Sequence, residues 1–439
     1  MGATEITQSG DRLTRPQEIG EALYKRLSVD GAAGLGHKRS GNLDAVRAIA
    51  ALMVLAGHAY VFSVTKSTAG EKSVLVKGLL SGIALFFVLS GFLISGPFLR
   101  ALLDGRRPPA AGRYAIRRSV RILPAYWVAL AAAVAFVTSG ELVHWWQAPV
   151  HGFLMQNLVI GENQRLLFVA WTLSIEAMFY VFVPLAALAV WRFRRDKPMS
   201  VDRLAAWVLA LGIASVAWLL ITSVVVTPHA IASGELPSFF RLSGWVLPNF
   251  LYAFAPGALI YLAETPEAQA REGVWARYRR AKERPEMLAI GALALLCVGV
   301  VLRTSAHSRV LFALHDVPLA LGGGLAVLAF VGDGPRRRAA ARLLGPIGLV
   351  SYGIYLWHAV VRGVLQEHAM TWVPGVHGGY FAWPFQIAFL LALTVPIALA
   401  SWLLLERPLL RRTAAWDRRR REQAQPEIRA EPSAAPAVA

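Results

Sequence analysis

The stretch LDAVRAIAALMVLAGHAYVFS, residues 43–63, has the length and apolar character of a helix that crosses a membrane. It nevertheless contains Asp44, Arg47 and His58. Inserting an arginine or aspartate near the centre of such a helix costs about 2.5–3.5 kcal/mol, so ionisable residues there usually mark a functional site. Arg47 and His58 are eleven residues apart, which places both on one helix face, about 16 Å apart along the axis. The segment predicts a membrane helix with a fixed cation near one end and a titratable base further along.

The composition of the whole chain is that of a membrane protein. Of its 439 residues, 56% are hydrophobic and 16% are charged, with a mean hydropathy of +0.48, whereas soluble domains carry about 25% charged residues. The apolar runs predict an all-α, polytopic bundle of about ten transmembrane helices. The expected spans are 43–63, 76–96, 122–139, 167–191, 204–226, 243–263, 287–303, 310–332, 344–366 and 382–405.

The basic residues predict how this bundle is oriented. The net charge is +18, and the chain has 45 lysines and arginines. If the segments outside the spans are numbered from the N-terminus, the odd-numbered segments contain 36 of these residues and the even-numbered segments contain five. The other four lie within spans. This asymmetry is the positive-inside pattern, which places both termini in the cytoplasm. It also explains the charge without a nucleic acid partner.

Three regions follow from these patterns. We expect a cytoplasmic extension at 1–42, a transmembrane domain at 43–408, and a basic, largely disordered cytoplasmic tail at 409–439. Within the extension, the stretch PQEIGEALYKRL at 16–27 is compatible with an amphipathic helix on the membrane surface or with a mobile tail.

The sequence gives little indication of a metal site or a disulfide bond. The single cysteine, Cys297, excludes an internal disulfide and a cysteine metal cluster. The longest outer loop, 140–166, is a candidate for a re-entrant turn and contains His144 and His151. Neither histidine has a carboxylate at ligand spacing, so we predict no metal site.

Two further spans carry polar residues near one end of the bundle. Ser90 and Gly91 interrupt the apolar run IALFFVLSGFLIS, where small residues serve either helix packing or substrate contact. Arg118 and Arg121 in RRSVRILPAYW are three residues apart and share a helix face. Such a pair can hold a polyanion, although positive-inside anchoring explains it equally well.

Two more spans place ionisable residues deep in the membrane. Glu176, in AWTLSIEAMFYVFVP, has no opposite charge beside it in sequence. A carboxylate at that depth must pair across helices, line a wet cavity or stay protonated. His358, in GLVSYGIYLWHAVV, lies at a depth comparable to that of His58 and is either a functional imidazole or a hydrogen-bonded packing residue.

The order of these motifs along the chain is more specific than any one of them. LDAVRAIAALMVLAGH, FFVLSGFLIS, RRSVRILPAYW, WTLSIEAMFY, SYGIYLWH and LLERP resemble the acyltransferase-3 family of bacterial membrane acyltransferases, from Leu43 to Pro408. The chain departs from the family pattern at Ala45, where glycine is frequent, and at Thr172, where serine is usual. Neither change removes a reactive group. The motifs also contain further candidate site residues, namely Asp44, Ser90, Trp171, Tyr352 and His358.

The resemblance implies an O-acyl transfer in the bacterial cytoplasmic (inner) membrane. The donor would be acyl-CoA, with acetyl-CoA expected, and the acceptor a hydroxyl of a carbohydrate, glycolipid or related envelope molecule. His58 would act as base or acyl carrier, and Arg47 would stabilise the thioester or its developing oxyanion. Glu176 would orient His58 or bind the acceptor hydroxyl, and Arg118 and Arg121 would bind coenzyme A. No permanently bound cofactor is expected. Some family members carry an added SGNH hydrolase-like domain, so transfer by such a domain would here require a separate extracytoplasmic partner.

Three other classes of protein compete with this interpretation. An intramembrane arginine, histidine and glutamate could form the proton relay of a transporter or flippase, which would consume no thioester. A glycosyltransferase using lipid-linked sugars usually needs acidic residues in an outer loop near the first spans, and 64–75 offers only Glu71. A sensor or scaffold with a degenerate site is disfavoured, because the motif residues are all present.

Overall fold

The structure, a computed structural model, describes residues 14–29, 41–63, 74–138, 144–226, 243–304, 308–332, 334–368 and 379–424. These residues are mostly helical and contain no β-strand. The helices are α1 Arg15–Leu27, α2 Gly41–Ser63, α3 Val74–Leu80, α4 Gly82–Leu103, α5 Ala111–Phe136, α6 Gln147–Gly152, α7 Ala170–Arg194, α8 Val201–Leu220, α9 Leu251–Ala263, α10 Pro266–Gln269, α11 Val274–Lys282, α12 Pro285–Thr304, α13 Arg309–Leu314, α14 Asp316–Phe330, α15 Pro335–Leu349, α16 Ser351–His368, α17 Gly379–Ser401 and α18 Arg407–Ala424. Short 3₁₀ turns form at Gln156–Leu158, Ser243–Trp245 and Leu247–Asn249, and π-helical turns at Ile221–Val226 and Trp402–Glu406.

Eight helical segments in the described part of the chain are long and apolar enough to cross a membrane. They are Gly41–Ala59, Gly78–Leu103, Ala111–Phe136, Ala170–Arg194, Val201–Val224, Pro285–Arg303, Val310–Phe330 and Trp383–Arg420. The pair α15 and α16, bent by 52° at the break between them, brings the number to nine if it counts as one span. The prediction of an all-α, polytopic membrane protein is confirmed. The placement of both termini in the cytoplasm stays a prediction.

The expected span at 243–263 is only partly a regular helix. Its second half is α9, with 13 residues, and its first half consists of 3₁₀ turns around Pro248. Proline lacks the N–H that a continuous helix needs, and the Asn249 side chain instead donates to the carbonyl of Gly244 at 3.2 Å. This span is therefore shorter than the sequence predicts.

Helix α2 lies at the centre of the bundle, where it packs on α4, α15, α16 and α17. Ala45, Ala48 and Ala50 are fully buried in these contacts. A Cβ added to Gly348 of α15 would lie 1.9 Å from the Asp44 carbonyl oxygen. Small side chains allow such close approach of membrane helices. The helix that carries Arg47 and His58 is thus held on several sides.

Helices α4 and α9 approach each other through two glycines. A Cβ at Gly91 would lie 2.0 Å from the Phe254 carbonyl oxygen, and one at Gly257 would lie 1.8 Å from the carbonyl oxygen of Val88. No side chain fits at either position without moving backbone. Gly91 therefore serves helix packing, which leaves its neighbour Ser90 free to face the interior.

The N-terminal segment forms the helix α1 rather than a mobile tail. It packs along α15, where a Cβ at Gly20 would lie 2.0 Å from the Arg342 carbonyl oxygen and one at Gly345 would lie 2.9 Å from the Tyr24 ring. Glu21 also pairs with the Arg342 guanidinium at 3.2 Å. These contacts bring Tyr24 to the start of α2.

The C-terminal helices return to the same end of the bundle. The indole of Trp402 donates to the Leu27 carbonyl at 3.2 Å, which ties the π-helical turn to α1. An ion pair of 2.7 Å between Arg117 and Asp417 joins α5 to α18. The first part of the basic segment 409–439 is therefore helical, and residues 425–439 lie outside the described residues.

Residues 144–169, here called the cap, fold over one end of α5 and α7. Glu162 accepts a hydrogen bond from the Gln147 amide at 2.9 Å and pairs with His151 at 2.8 Å and Arg165 at 3.0 Å. Burial alone would raise the pKa of the Glu162 carboxyl, but these hydrogen bonds hold the pKa below its usual value. No carboxylate stands at ligand spacing from His151 in the sequence, but the fold brings Glu162, eleven residues later, within 2.8 Å of it.

Candidate active site

A cavity that is partly open to solvent lies among the helices of the bundle. It is bordered by α2, α4, α5, α7 and α16, and several of the residues singled out in the sequence line it. The charged and polar lining residues are Arg47, Ser90, Arg118, Arg121, Thr172, Glu176, Tyr180, Ser351, Tyr352 and Tyr355. Residues from five separate motifs thus meet at one place.

Arg47 reaches the cavity from the first turns of α2. Its guanidinium pairs with Asp44, one helical turn earlier, at 2.8 Å. The other carboxylate oxygen of Asp44 accepts a hydrogen bond of 2.8 Å from the Tyr24 hydroxyl. Asp44 is buried and Arg47 only partly so. Asp44 therefore positions Arg47, and Tyr24 of α1 positions Asp44 in turn.

Glu176 and Ser90 meet across the cavity. The Ser90 hydroxyl donates to the Glu176 carboxylate at 2.6 Å, which joins α4 to α7. Glu176 is half-buried in the cavity wall. A carboxylate in a membrane helix can pair across helices, line a polar cavity or stay protonated. Glu176 lines a polar cavity and accepts a hydrogen bond from a hydroxyl of another helix. Such a carboxylate can accept a further hydrogen bond from a substrate hydroxyl.

Arg118 and Arg121 both line the cavity, as their spacing on α5 predicts. The Arg118 guanidinium lies between two aromatic rings, 5.6 Å from the centroid of Tyr114 and 5.3 Å from that of Tyr180. Cation–π contacts of this kind hold the planar group in place. The pair gives the cavity a basic wall that suits an anionic ligand.

Tyr352 and Tyr355 close the cavity on the side of α16. The Tyr352 hydroxyl donates to the Ile122 carbonyl of α5 at 2.9 Å. The Tyr355 hydroxyl donates to the Val169 carbonyl at 3.0 Å and lies 2.6 Å from the Thr172 hydroxyl. Thr172 stands where the family usually has serine, and its side chain still supplies a hydroxyl that hydrogen-bonds Tyr355.

His58 and His358 form a hydrogen-bonded pair between α2 and α16. His358 Nε2 and His58 Nδ1 are 3.0 Å apart, and His358 Nδ1 lies 3.0 Å from the Ile354 carbonyl oxygen. That oxygen can only accept, so Nδ1 of neutral His358 carries the proton and its Nε2 is an acceptor. His58 Nδ1 must then donate to it. In this tautomer the lone pair of His58 is on Nε2, and the ring also makes a hydrogen bond with the Val54 backbone.

The histidine pair is not part of the cavity wall among the described residues. Between them lie Phe86 and Tyr355, whose rings meet edge to face with centroids 5.6 Å apart. The Tyr355 ring lies 5.8 Å from that of His358. His58 is half-buried and makes an edge contact of 5.1 Å with Phe168 of the cap. The cavity and the imidazoles are thus neighbours separated by one layer of aromatic rings.

This geometry revises two expectations from the sequence. The side chain that hydrogen-bonds His58 is His358, whereas Glu176, expected either to orient His58 or to bind the acceptor hydroxyl, accepts from Ser90. Trp171 does not reach the cavity but packs against Trp245, with ring centroids 5.5 Å apart. It lies at the cap end of α7, directly before Thr172, which does line the cavity.

Sequence reasoning missed several residues near the site. Tyr355 closes the cavity, Tyr180 and Tyr114 hold Arg118, and Glu406 is buried in the π-helical turn. Glu406 belongs to the LLERP motif, so its signal was present in the sequence. Tyr180 and Tyr355 likewise lie in the motifs WTLSIEAMFY and SYGIYLWH, whereas Tyr114 lies in none of the quoted motifs. The described residues contain no group of three His, Cys, Asp or Glu side chains that could hold a metal ion.

Fold and site together define a polytopic membrane protein with an ionisable site inside its helix bundle. Residues 40–404 match the model of the acyltransferase-domain family. The chain therefore belongs to this acyltransferase family.

Individual relatives share about a quarter of their residues with the chain. Nodulation protein 10 of Rhizobium leguminosarum bv. viciae is 27% identical, over 86% of this chain and 94% of the relative. The exopolysaccharide production protein ExoZ of Rhizobium meliloti is 26% identical, over 76% and 90%. The peptidoglycan O-acetyltransferase OatA of Listeria monocytogenes is 25% identical over 72% of this chain but only 48% of its own length. No solved structure matches the chain.

Proposed function

We propose that the protein transfers an acyl group, acetyl in the first instance, from acyl-CoA to a hydroxyl of a carbohydrate or glycolipid of the cell envelope. We place it in the bacterial cytoplasmic membrane. The observation that carries the proposal is the basic cavity beside a polarised imidazole pair. The relatives support the acceptor class, since two of their names refer to an exopolysaccharide and to peptidoglycan.

The donor fits the charge of the cavity. Coenzyme A is a polyanion with a narrow pantetheine arm, and arginine is well suited to binding phosphate groups. In this proposal Arg118 and Arg121 bind the phosphates, and the arm extends along the cavity toward Arg47. The thioester then lies near the Ser90–Glu176 pair, and Arg47 supplies positive charge to the carbonyl oxygen as it becomes anionic.

His58 then acts on the thioester in one of two ways. As a base, Nε2 takes the proton of the acceptor hydroxyl, the hydroxyl oxygen attacks the carbonyl carbon, and the C–S bond breaks. The proton then passes to the coenzyme A thiolate. As an acyl carrier, Nε2 attacks first and releases coenzyme A, and the acceptor oxygen displaces the imidazole in a second step. In both routes His358 holds the His58 Nδ1 proton and so keeps Nε2 reactive.

The aromatic layer sets a requirement for either route. The reacting carbonyl must pass Phe86 and Tyr355 to reach Nε2 of His58. We propose that one of these rings swings aside when donor fills the cavity. This layer keeps water from the thioester until then, which limits wasteful hydrolysis.

The purified protein in proteoliposomes provides the test. Acetyl-CoA and an envelope oligosaccharide should yield free coenzyme A and an acetyl ester, and a transporter would consume no thioester. The same reaction with donor alone, quenched and analysed by mass spectrometry of the His58 peptide, separates the two routes. An acetylated imidazole supports the carrier route, and its absence alongside full transfer supports the base. If coenzyme A release never exceeds that of empty liposomes, the proposed function is wrong.

A further inference from the structure

Arg362 lies beside the histidine pair, on the side away from the cavity. It follows His358 by four residues on α16, so both project from one helix face with about 6 Å of rise between them. Its guanidinium carbon lies 5.1 Å from the ring centroid of Phe168 in the cap. The same ring touches His58 with its edge. Phe168 therefore joins the guanidinium to the reactive imidazole.

Arg362 has no counter-charge among the described residues. No carboxylate there pairs with it, and its buried Nε makes no hydrogen bond. A charged arginine within a membrane span is costly unless it is paired or faces a polar space. Arg47, another arginine in a membrane helix beside the site, shows the contrast, since it pairs with Asp44 at 2.8 Å. An unpaired guanidinium is suited to bind an anion that arrives from outside the chain.

The position of Arg362 indicates which substrate this anion belongs to. Along α16, Tyr352 lines the cavity, His358 follows, and Arg362 comes last. The donor side of the site is the cavity, which already has its own arginines. Arg362 lies on the opposite side of the imidazoles, where an acceptor must approach if donor and acceptor meet at His58.

The geometry points to Arg362 and Phe168 as an acceptor subsite that binds an anionic group, a carboxylate or a phosphate, of the envelope molecule. This inference rests on the proposed function. The guanidinium offers two parallel N–H donors to an oxyanion, and Phe168 fixes its plane from one side. A sugar held by its anionic group is then placed with a hydroxyl toward His58 Nε2.

The subsite predicts selectivity between acceptors. Three oligosaccharides of equal length serve as probes: one ending in glucuronic acid, one ending in glucose 6-phosphate and one ending in glucose. In proteoliposomes with acetyl-CoA, Arg362→Gln should raise KM for the preferred anionic acceptor by about tenfold to hundredfold, the range for a hydrogen bond to a charged group. Arg362→Lys should raise this KM by a smaller factor, because lysine keeps the positive charge. The two anionic probes show whether the natural group is a carboxylate or a phosphate.

Several controls separate binding from folding. Arg303→Gln removes an arginine near the end of α12, away from the site, and should leave all kinetic constants unchanged. Coenzyme A release in the absence of acceptor should also be unaffected by Arg362→Gln. Direct titration of each oligosaccharide into wild type and Arg362→Gln measures the same affinity change without any chemistry. That titration separates failure of the subsite from failure of the proposed reaction.

Two results would overturn the subsite. One is an Arg362→Gln protein that binds and uses the anionic acceptors as wild type does. The other is an equal loss with the neutral and anionic acceptors, since that would indicate a general effect on the imidazoles or on folding. Weaker binding of the anionic probes alone supports the proposal, whether or not transfer is detected.

Discussion

At the scale of single residues, the tautomer of His58 is the property that decides its chemistry. A neutral imidazole has one donor and one acceptor nitrogen, and the neighbour of one nitrogen determines the state of the other. Here the chain from Ile354 through His358 assigns the proton to His58 Nδ1. In the proposed function His358 is therefore a positioning residue that acts through its hydrogen bond to His58.

The first prediction concerns this pair. His58→Ala should reduce the transfer rate by about 10²–10⁴-fold, the usual contribution of a general base. His358→Ala should cause a smaller loss, because His58 remains but its tautomer is no longer held. Initial rates of coenzyme A release measure both effects. His144→Ala, which removes a histidine stacked on Trp146 in the cap, is the control and should retain full activity. Wild-type activity in His358→Ala would show that His358 does not position His58.

The second prediction concerns the basic wall of the cavity. Arg118→Ala and Arg121→Ala should each raise KM for acetyl-CoA while the protein still folds and inserts. The reason is the loss of a charge-assisted contact to phosphate. Donor titrations of purified protein give the KM values, and size-exclusion profiles report assembly. Arg113→Ala changes an exposed arginine one to two turns earlier and should have little effect. An unchanged donor KM in both variants would remove their ligand role.

At the scale of helices, the N-terminal helix α1 acts as part of the site. Tyr24 donates to Asp44, and Asp44 holds Arg47 at the cavity wall. The sequence left α1 open between a surface helix and a mobile tail, because an amphipathic pattern does not show what it packs against. The close approach of α1 and α15 at Gly20 and Gly345 shows that α1 packs on the bundle, and this contact is visible only in the fold.

The third prediction follows from that contact. Tyr24→Phe removes one hydroxyl and should lower the transfer rate severalfold, because Asp44 loses a partner worth about 1–2 kcal/mol and positions Arg47 less well. The effect should appear in kcat more than in donor KM. Glu18→Gln, an exposed change on the same helix, is the matched control. Equal kinetics in Tyr24→Phe and Glu18→Gln would show that α1 does not influence the site.

The fourth prediction concerns the cap and pH. Because the Glu162 pKa is lowered in the folded protein, its contacts stabilise the cap above the ordinary pKa of about 4.5. That stabilisation is lost as pH falls through the lower, folded value. Hydrogen exchange in residues 147–162 should therefore increase on acidification below about pH 4.5 in wild type. Glu162→Gln should show faster exchange at neutral pH and little further change. If hydrogen exchange in the wild-type cap did not change on acidification, the Glu162 carboxylate would not stabilise the cap as proposed.

At the scale of the whole molecule, the sequence predicted the spans better than their interior contacts. Length and hydropathy locate membrane helices because lipid demands long apolar segments with satisfied backbones. Arg118, Arg121 and Glu176 were singled out because charge is rare in such helices, and all three line the cavity. The pairing of His58 with His358, 300 residues later, depends on which helices touch, and no local pattern encodes that. The cap depends likewise on tertiary packing, whereas the break at Pro248 has a local cause, the missing proline N–H.

The central claim is that an imidazole inside the membrane directs an acyl group from a coenzyme A thioester to the cell envelope. The most direct measurement is mass spectrometry of ester-linked acyl groups on envelope glycans and glycolipids from a deletion strain. The strain is complemented with wild type or with His58→Ala, both confirmed in the membrane. We predict that the deletion lacks a specific acyl ester, that wild type restores it and that His58→Ala does not. Identical ester content in all strains would contradict the account.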